Sequence, residues 1–316
     1  MIFPPKLERG DLVALVSPSS PLTADQPIET IASAVESLGF RVWIGDSCRC
    51  ADPSGYAAAP AAVRAWDINA AFGDPGIKAI WCTRGGSTAW RLLPLLDYGR
   101  IAANPKPFIG FSDVTTLHMA LQQRCGLVTF HGPTANRTLG WERDCFSWPH
   151  LLEVVNMEGD LVIENPPEEP ILALRPGQAA GELTGGNLSL VAASLGTPWQ
   201  VDARDRILYL EDVGEAVYAL ERMLDQLRRG GVLDAAAGVV LGAFTSCRNA
   251  YREDYGPLEL LRDFFSGFPK PVLCNVRSAH CSPMVTLPMG AMCRVDGERG
   301  TMAVSRTGKR GQGKRC

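Results

Sequence analysis

The sequence lacks the short motifs that mark the common nucleotide, metal and hydrolase sites. It contains no G-x-x-x-x-G-K-[ST] loop, no H-E-x-x-H pair, no G-x-S-x-G elbow and no G-x-G-x-x-G turn after a strand. Only four histidines occur in 316 residues, and they form no cluster at metal-ligand spacing. We therefore expect no zinc site.

The chain also lacks a strong net charge and a long apolar run. Its 31 Lys and Arg against 34 Asp and Glu give a net charge of −3, which argues against a nucleic-acid partner. No stretch of 18 apolar residues occurs and no basic stretch precedes an apolar one at the start, so we expect neither a membrane span nor a signal peptide. The ten cysteines are scattered without metal or redox spacing, so we expect a reduced, cytoplasmic protein.

What the sequence does contain is the rhythm of a two-domain α/β protein. The length of 316 residues suggests two domains. Residues 1–135 alternate continuous apolar runs, such as 12–16 and 77–82, with helical spacing of apolar residues. Continuous apolar runs are typical of strands covered on both faces, so this region is predicted to form a doubly wound, mainly parallel sheet.

The rest of the chain is predicted to form a linker, a second unit and a tail. Residues 136–180 lose the alternation and contain the Pro-rich segment ENPPEEP, which favours a linker or lid over the site. A second unit of strands and helices follows at 181–305, with an apolar strand at 207–210. The basic residues 306–316 are predicted to be a disordered tail.

One local feature could carry a nucleophile. The segment Gly110-Phe111-Ser112-Asp113 joins an apolar strand directly to a helix, at the sheet edge where α/β proteins place their ligands. The helix N-terminus offers free N–H groups to a developing oxyanion. A serine before an aspartate at a helix start is also an ordinary N-cap, and the tetrapeptide alone favours the cap.

A second turn lies after the strand that ends at Cys82. Arg84-Gly85-Gly86-Ser87 contains paired glycines, which let backbone amides approach a ligand closely and could form an oxyanion hole or an anion nest. Taken alone, the segment favours a tight turn with an exposed arginine.

A serine nucleophile needs a histidine base and an acid that orients it. His118 is predicted to lie on a helix face and His150 to be solvated in the loop region. His131 at a strand end and His280 in a polar turn are both candidates, and spacing does not choose between them.

Two carboxylates follow the apolar strand ILYL, namely Glu211 and Asp212. A carboxylate at the end of a strand is well held for orienting a histidine. It could equally cap the helix that is predicted to begin near Glu215.

The whole set of motifs resembles the LD-carboxypeptidase family, which includes muramoyltetrapeptide carboxypeptidases and microcin C self-immunity proteins. The resemblance runs from about residue 10 to about residue 295. It rests on segments that occur in the family's order: GDLVALVSPSSP, RGGST with RLLPLLDYGR, KPFIGFSDVTTLH, TFHGPT, GELTGGNLSLVAASLGTPW, ILYLEDVGEAVYALERMLDQL and SAHCSPMVTLPMG.

The resemblance implies a serine peptidase with a Ser-Glu-His triad. The family's motifs place the nucleophile on Ser112, the acid on Glu211 and the base on His280, and they place the backbone amides of the oxyanion hole on Gly86 and Asp113. It also implies a flavodoxin-like N-terminal domain, a smaller strand-rich α/β C-terminal domain, a homodimer and a site between the domains. The domains would then close on each other for chemistry, with the 136–180 region as hinge or lid.

Three further residues are weaker candidates for substrate contact. They are Arg84, His131, whose role becomes structural or substrate-shaping, and Trp141 in the loop region. The sequence departs from the family's frequent RGGYG and G-H-G patterns at RGGST and at Ala279-His280-Cys281. Both departures concern the pocket and leave the implied triad complete.

The implied reaction is removal of the terminal D-Ala from a murein tetrapeptide during peptidoglycan recycling, without a cofactor. A second possibility is a microcin C immunity-type hydrolase of peptidyl or aminoacyl nucleotides, in which Trp141 or Trp148 would stack on the base. A third is a non-catalytic two-domain ligand-binding protein in which Ser112 only caps a helix.

Overall fold

The structure is a computed structural model and describes residues 1–140 and 144–306. Its strands are β1 (Leu12–Val16), β2 (Arg41–Ile44), β3 (Ile77–Cys82), β4 (Phe108–Gly110), β5 (Thr129–His131), β6 (Asp160–Ile163), β7 (Leu172–Arg175), β8 (Gln178–Asn187), β9 (Ile207–Val213), β10 (Gly238–Thr245), β11 (Val272–Cys274), β12 (Leu287–Met289), β13 (Met292–Asp296) and β14 (Thr301–Ser305).

The helices cover these strands. They are α1 (Ile28–Ser37), α2 (Ala61–Gly73), α3 (Tyr98–Ala103), α4 (Thr115–Cys125), α5 (Ser147–Asn156), α6 (Leu188–Ala193), α7 (Val217–Arg229), α8 (Val232–Ala235) and α9 (Pro257–Phe264). Short 3-10 helices span Asp46–Cys48, Ala89–Leu95, Ser112–Val114 and Ala135–Thr138.

The first sheet has the flavodoxin-like order. Its parallel strands run β2-β1-β3-β4-β5, which confirms the predicted doubly wound N-terminal sheet. Alternate residues of β1 enter different cores: Ala14 and Val16 face the helices α2 to α4, whereas Val13 and Leu15 face α1 and α5. Burial on both faces explains why β1 is a continuous apolar run.

The second sheet is larger than expected. Its order is β6-β14-β13-β8-β9-β10-β11-β7, with a parallel centre from β8 to β11 and antiparallel strands on both sides. The strand-rich α/β character of the C-terminal half is confirmed. Helices α6 to α9 cover one face, and the other face packs around Val276, Val285 and strand β12.

The region 136–180 is more regular than a linker or lid. It contains α5 and the edge strands β6 and β7, because its apolar residues occur in short groups between prolines. Helix α5 packs on the first sheet through Leu151, Val154 and Val155. In the predicted tail, the Arg306 guanidinium donates to the carbonyl oxygens of Met157 and Pro4, while residues 307–316 lie outside the described residues.

One strand joins the two halves of the chain. The backbone of β12 pairs antiparallel with β5, so it completes the first sheet from a distant part of the sequence. Its side chains Leu287 and Met289 lie in the core of the second sheet beside Tyr209. Local sequence does not indicate the partner of this strand.

The contact between the halves also predicts a stability effect at Gly186. This glycine of β8 has a φ of +141°, and a Cβ built on it would lie 2.4 Å from Thr115 Oγ1 at the start of α4. We expect Gly186→Ala to cost about 1–3 kcal/mol more in unfolding free energy than backbone strain alone, because the contact has no room.

The matched control is Gly196→Ala. Gly196 also has a positive φ, of +76°, but nothing lies within 4 Å of its added Cβ. Urea unfolding of both variants compares a crowded glycine with an open one, and equal losses for the two would contradict the packing argument.

Candidate active site

Ser112 occupies a strained turn between β4 and α4. Its φ is +65°, a left-handed conformation that costs a non-glycine residue on the order of 1–3 kcal/mol. The 3-10 helix Ser112–Val114 begins at this residue, its N-cap residue is Phe111 and it has no side-chain cap bond, so Ser112 does not act as the N-cap that the tetrapeptide alone favoured. Gly85 lies against it, since a Cβ there would stand 2.8 Å from Ser112 Cβ. The turn therefore exposes the Ser112 hydroxyl, and position 85 has room only for glycine.

The hydroxyl of Ser112 forms one end of a hydrogen-bonded chain. Ser112 Oγ lies 3.1 Å from His280 Nε2, and His280 Nδ1 lies 2.8 Å from Glu211 Oε2. A carboxylate only accepts, so Nδ1–H donates to Glu211 and the lone pair of Nε2 faces the serine proton. The arrangement is that of a nucleophile, a base and an orienting acid.

Glu211 is buried inside β9 and does not follow it, because the strand continues to Val213. Burial raises the pKa of the Glu211 carboxyl, and the hydrogen bond from His280 acts in the opposite direction. Its neighbour Asp212 accepts from Ser189 N and Asn187 Nδ2, next to α6. Neither carboxylate caps α7, whose N-cap residue is Ala216 and makes no side-chain cap bond.

The turn that carries His280 is also strained. Ala279 has a φ of +88° and is fully buried next to Phe111 and Met284. The departure from the family's usual glycine therefore leaves a left-handed turn in place, with an alanine in a conformation that glycine adopts more easily.

The turn after β3 lies beside Ser112. Gly86 has a φ of +150°, and a Cβ on it would meet Ser20 Oγ at 2.1 Å. The Asp113 carboxylate accepts from Ala89 N at 2.7 Å and from the hydroxyl of Ser19, which ties this turn to the serine turn. The role of the Gly86 and Asp113 amides as an oxyanion hole stays a prediction.

A cavity of about 690 Å³ opens at His280. Its wall includes Asn136, Arg137, Asp144, Trp148 and Cys281. Trp148 is only 5% exposed and packs on Trp81 with ring centroids 5.2 Å apart, so most of its surface belongs to the core. Nothing in the local sequence around Arg137 separates it from an ordinary surface arginine, so its place at the cavity is visible only in the structure.

The three weaker candidates for substrate contact lie in different parts of the chain. The Arg84 guanidinium donates to the carbonyl oxygen of Pro21 at 2.9 Å. His131 is fully buried between the rings of Phe111 and Tyr209, which suits the structural one of its two predicted roles. Trp141 lies outside the described residues. Within the described ranges, no group of three or more His, Cys, Asp or Glu side chains could hold a metal ion.

The two other histidines are also buried. His118 lies in α4, as predicted; its Nε2–H donates to Gly110 O and its Nδ1 accepts from Thr129 Oγ1. The expectation that His150 is solvated is wrong. The side chain is buried on the inner side of α5, and its Nδ1 accepts a hydrogen bond from Thr286 N. Burial lowers the pKa of both side chains to about 4.

The chain is similar to known carboxypeptidases over most of its length. Residues 13–132 match the LD-carboxypeptidase N-terminal domain, and residues 180–295 match the LD-carboxypeptidase C-terminal domain. A probable murein peptide carboxypeptidase of Bacillus subtilis is 36% identical over 91% of this chain and 89% of its own.

Two solved structures share the fold. Muramoyltetrapeptide carboxypeptidase from Oxalobacter formigenes aligns with a TM-score of 0.80 and 28% identity, over 93% of this chain and 98% of its own. The microcin C7 self-immunity protein MccF in its wild-type apo state aligns with a TM-score of 0.87 and 25% identity, over 97% of this chain and 99% of its own.

Fold, site and comparisons together define a serine-type carboxypeptidase, a hydrolase. The chain belongs to the LD-carboxypeptidase family. No helix in the described ranges combines the length and the apolar character that a bilayer crossing requires.

The buried histidines predict that stability falls in mild acid. The pKa of His118 and of His150 is near 4 when folded against 6.5 when unfolded, and that of His131 is also lowered. The unfolded chain therefore binds more protons below pH 6.5, and stability is lost as the pH falls toward 4. At pH 5 the loss is about 2 kcal/mol each for His118 and His150, and His131 adds to it, whereas the raised pKa of Glu211 acts in the opposite direction.

Urea unfolding between pH 7 and pH 5 measures this loss. His150→Asn keeps an acceptor for Thr286 N but does not titrate, so we expect a shallower pH dependence for it than for the wild type. An unchanged slope in the variant would show that His150 is not buried in its neutral form.

Proposed function

We propose that the protein removes the terminal D-Ala from a murein tetrapeptide, L-Ala-γ-D-Glu-meso-diaminopimelate-D-Ala, in peptidoglycan recycling. The observation that carries the reaction type is the continuous hydrogen-bonded chain from Glu211 through His280 to Ser112. The substrate class is supported by the names of the Bacillus and Oxalobacter relatives.

In this mechanism Ser112 Oγ attacks the carbonyl carbon of the amide before D-Ala. His280 Nε2 takes the serine proton and delivers it to the leaving amine, and the acyl-enzyme is then hydrolysed by water. The buried Glu211 carboxylate holds the imidazole by Nδ1–H and stabilises its charged form. The amides of Gly86 and Asp113 would receive the oxyanion.

We place the reaction in the cytoplasm and in a homodimer. The cysteines of the described part of the chain are free thiols and most of them are buried, which suits a reducing compartment. The dimer rests on the family resemblance.

The second candidate is hydrolysis of peptidyl or aminoacyl nucleotides, which the structural similarity to MccF favours. The cavity beside His280 is large enough for part of such a substrate. Trp148 cannot offer an open face to a base while it is packed on Trp81, which weighs against it as the stacking residue.

The first test compares substrates and the Ser112→Ala variant. We expect the wild type to release D-Ala from the tetrapeptide faster than it cleaves an aminoacyl sulfamoyl adenosine. Ser112→Ala should lose at least about 1,000-fold in kcat, because the hydroxyl is the nucleophile, with little change in melting temperature.

Ser37→Ala is the matched control, since Ser37 is exposed on α1 and bonds only to its own helix. It should retain wild-type kcat. Substantial D-Ala release by Ser112→Ala would refute the nucleophile, and a folded wild type that cleaves neither substrate would indicate a ligand-binding protein.

The mechanism also predicts that metal chelators do not inhibit. The attacking group is a serine activated by a histidine, and no step needs a Lewis acid. D-Ala release should be the same with and without EDTA after prolonged dialysis. Loss of activity in EDTA that zinc restores would overturn the serine mechanism.

A further inference from the structure

Arg137 lies beside the base on the wall of the cavity. It belongs to the 3-10 helix Ala135–Thr138, and its Nη1 donates to the carbonyl oxygen of Cys281 at 2.8 Å. Its guanidinium carbon stands 4.7 Å from the centre of the Phe111 ring, and that ring lies 4.9 Å from the His280 ring. A cation is therefore held in fixed position next to His280.

The charge of Arg137 has no carboxylate partner within salt-bridge distance among residues 1–140 and 144–306. Burial lowers the pKa of its guanidinium, while Cys281, Asp144 and Glu211 act in the opposite direction. A partly buried cation that lacks an anion is costly, and a bound anion would relieve that cost.

The other charged residues of the cavity wall are already engaged. Arg277 Nη1 lies 3.7 Å from Glu169 Oε1 and its Nη2 donates to Ser282 O, although its buried Nε has no hydrogen-bond partner among the described residues. The Asp144 carboxylate accepts from Ser147 N and from the Ser147 hydroxyl at the start of α5. Arg137 is therefore the cation of this wall that is best placed to receive a substrate anion.

We propose that Arg137 binds the C-terminal carboxylate of the peptide substrate; this rests on the proposed function. His280 must protonate the leaving amine, so that nitrogen lies next to Nε2 during the reaction. In a terminal residue the carboxylate is attached to the carbon beside the amine, so it also lies on the His280 side of the scissile bond. A guanidinium binds a carboxylate through two parallel N–H donors, which suits a partner of fixed orientation.

This contact would determine that the enzyme acts as a carboxypeptidase. A peptide that continues beyond D-Ala, or that ends in a carboxamide, has no anion at this position. Such substrates would leave the Arg137 charge without a partner and lose the stabilisation in the transition state.

The test uses the tetrapeptide with a free D-Ala carboxylate and the same peptide ending in D-Ala carboxamide. We expect the wild type to prefer the acid in kcat/KM. Arg137→Gln should lose about 100-fold on the acid and change less than threefold on the amide, so that the preference disappears.

A structural role gives a different result. Arg137 also holds Cys281 O and covers Phe111, so if it only positions His280, both substrates lose equally and the preference remains, which overturns the proposal. Arg137→Lys keeps the charge without the planar fork; we expect a reduced preference, and an unchanged one also overturns the proposal even if the glutamine variant does not fold.

Arg277→Gln is the matched control in the same cavity wall. Because its guanidinium is already paired with Glu169, the acid-to-amide ratio should stay as in the wild type. A wild type that releases no D-Ala from the acid refutes the proposed function, whereas a wild type that releases it and an Arg137→Gln that keeps the preference refute only the carboxylate contact.

Discussion

The pairing of β12 with β5 is the interaction on which the site depends. The backbone of β12 belongs to the first sheet, while Leu287 and Met289 lie in the core of the second. The chain that carries His280 runs directly into this strand, and β5 is the neighbour of β4, which leads to Ser112. One short strand thus holds the proposed base from one half of the chain against the proposed nucleophile of the other.

Buried polar contacts reinforce this junction on its other side. Gln122 of α4 donates to Leu183 O and accepts from Thr184 Oγ1, and Asn187 N donates to Thr115 Oγ1. Breaking such bonds in a buried interface would leave unsatisfied polar groups. The two halves of the chain are therefore joined on both sides of the site. Ser112 and His280 already lie within hydrogen-bond distance, and no domain closure is needed to bring them together.

Local strain and burial are concentrated where the chemistry is proposed. Ser112 and Ala279 both adopt left-handed conformations, and Glu211 is a fully buried carboxylate. Each is unfavourable by itself, and each persists because the surrounding packing and hydrogen bonds determine it. The same packing fixes Phe111 between Arg137 and His280. The ring of Phe111 therefore contacts both the proposed carboxylate-binding residue and the proposed base.

Local sequence determined the elements of this protein. Apolar runs predicted β1 and β3 with the bounds that the structure has, and strand–helix alternation predicted the doubly wound sheet, because burial on both faces leaves a signal in each strand. The site residues were harder to predict from the local sequence. Spacing alone could not separate His131 from His280, and only the family resemblance chose between them.

Tertiary structure decided what those residues can touch. It buried His131 in β5 between two rings and brought His280 to Ser112 across 168 residues of chain. The region 136–180, which was expected to be a linker, contains a helix and two edge strands in the structure, and Arg137 lies at the cavity. Contacts between distant segments depend on which strands pair and how sheets pack, and local periodicity carries no information about either.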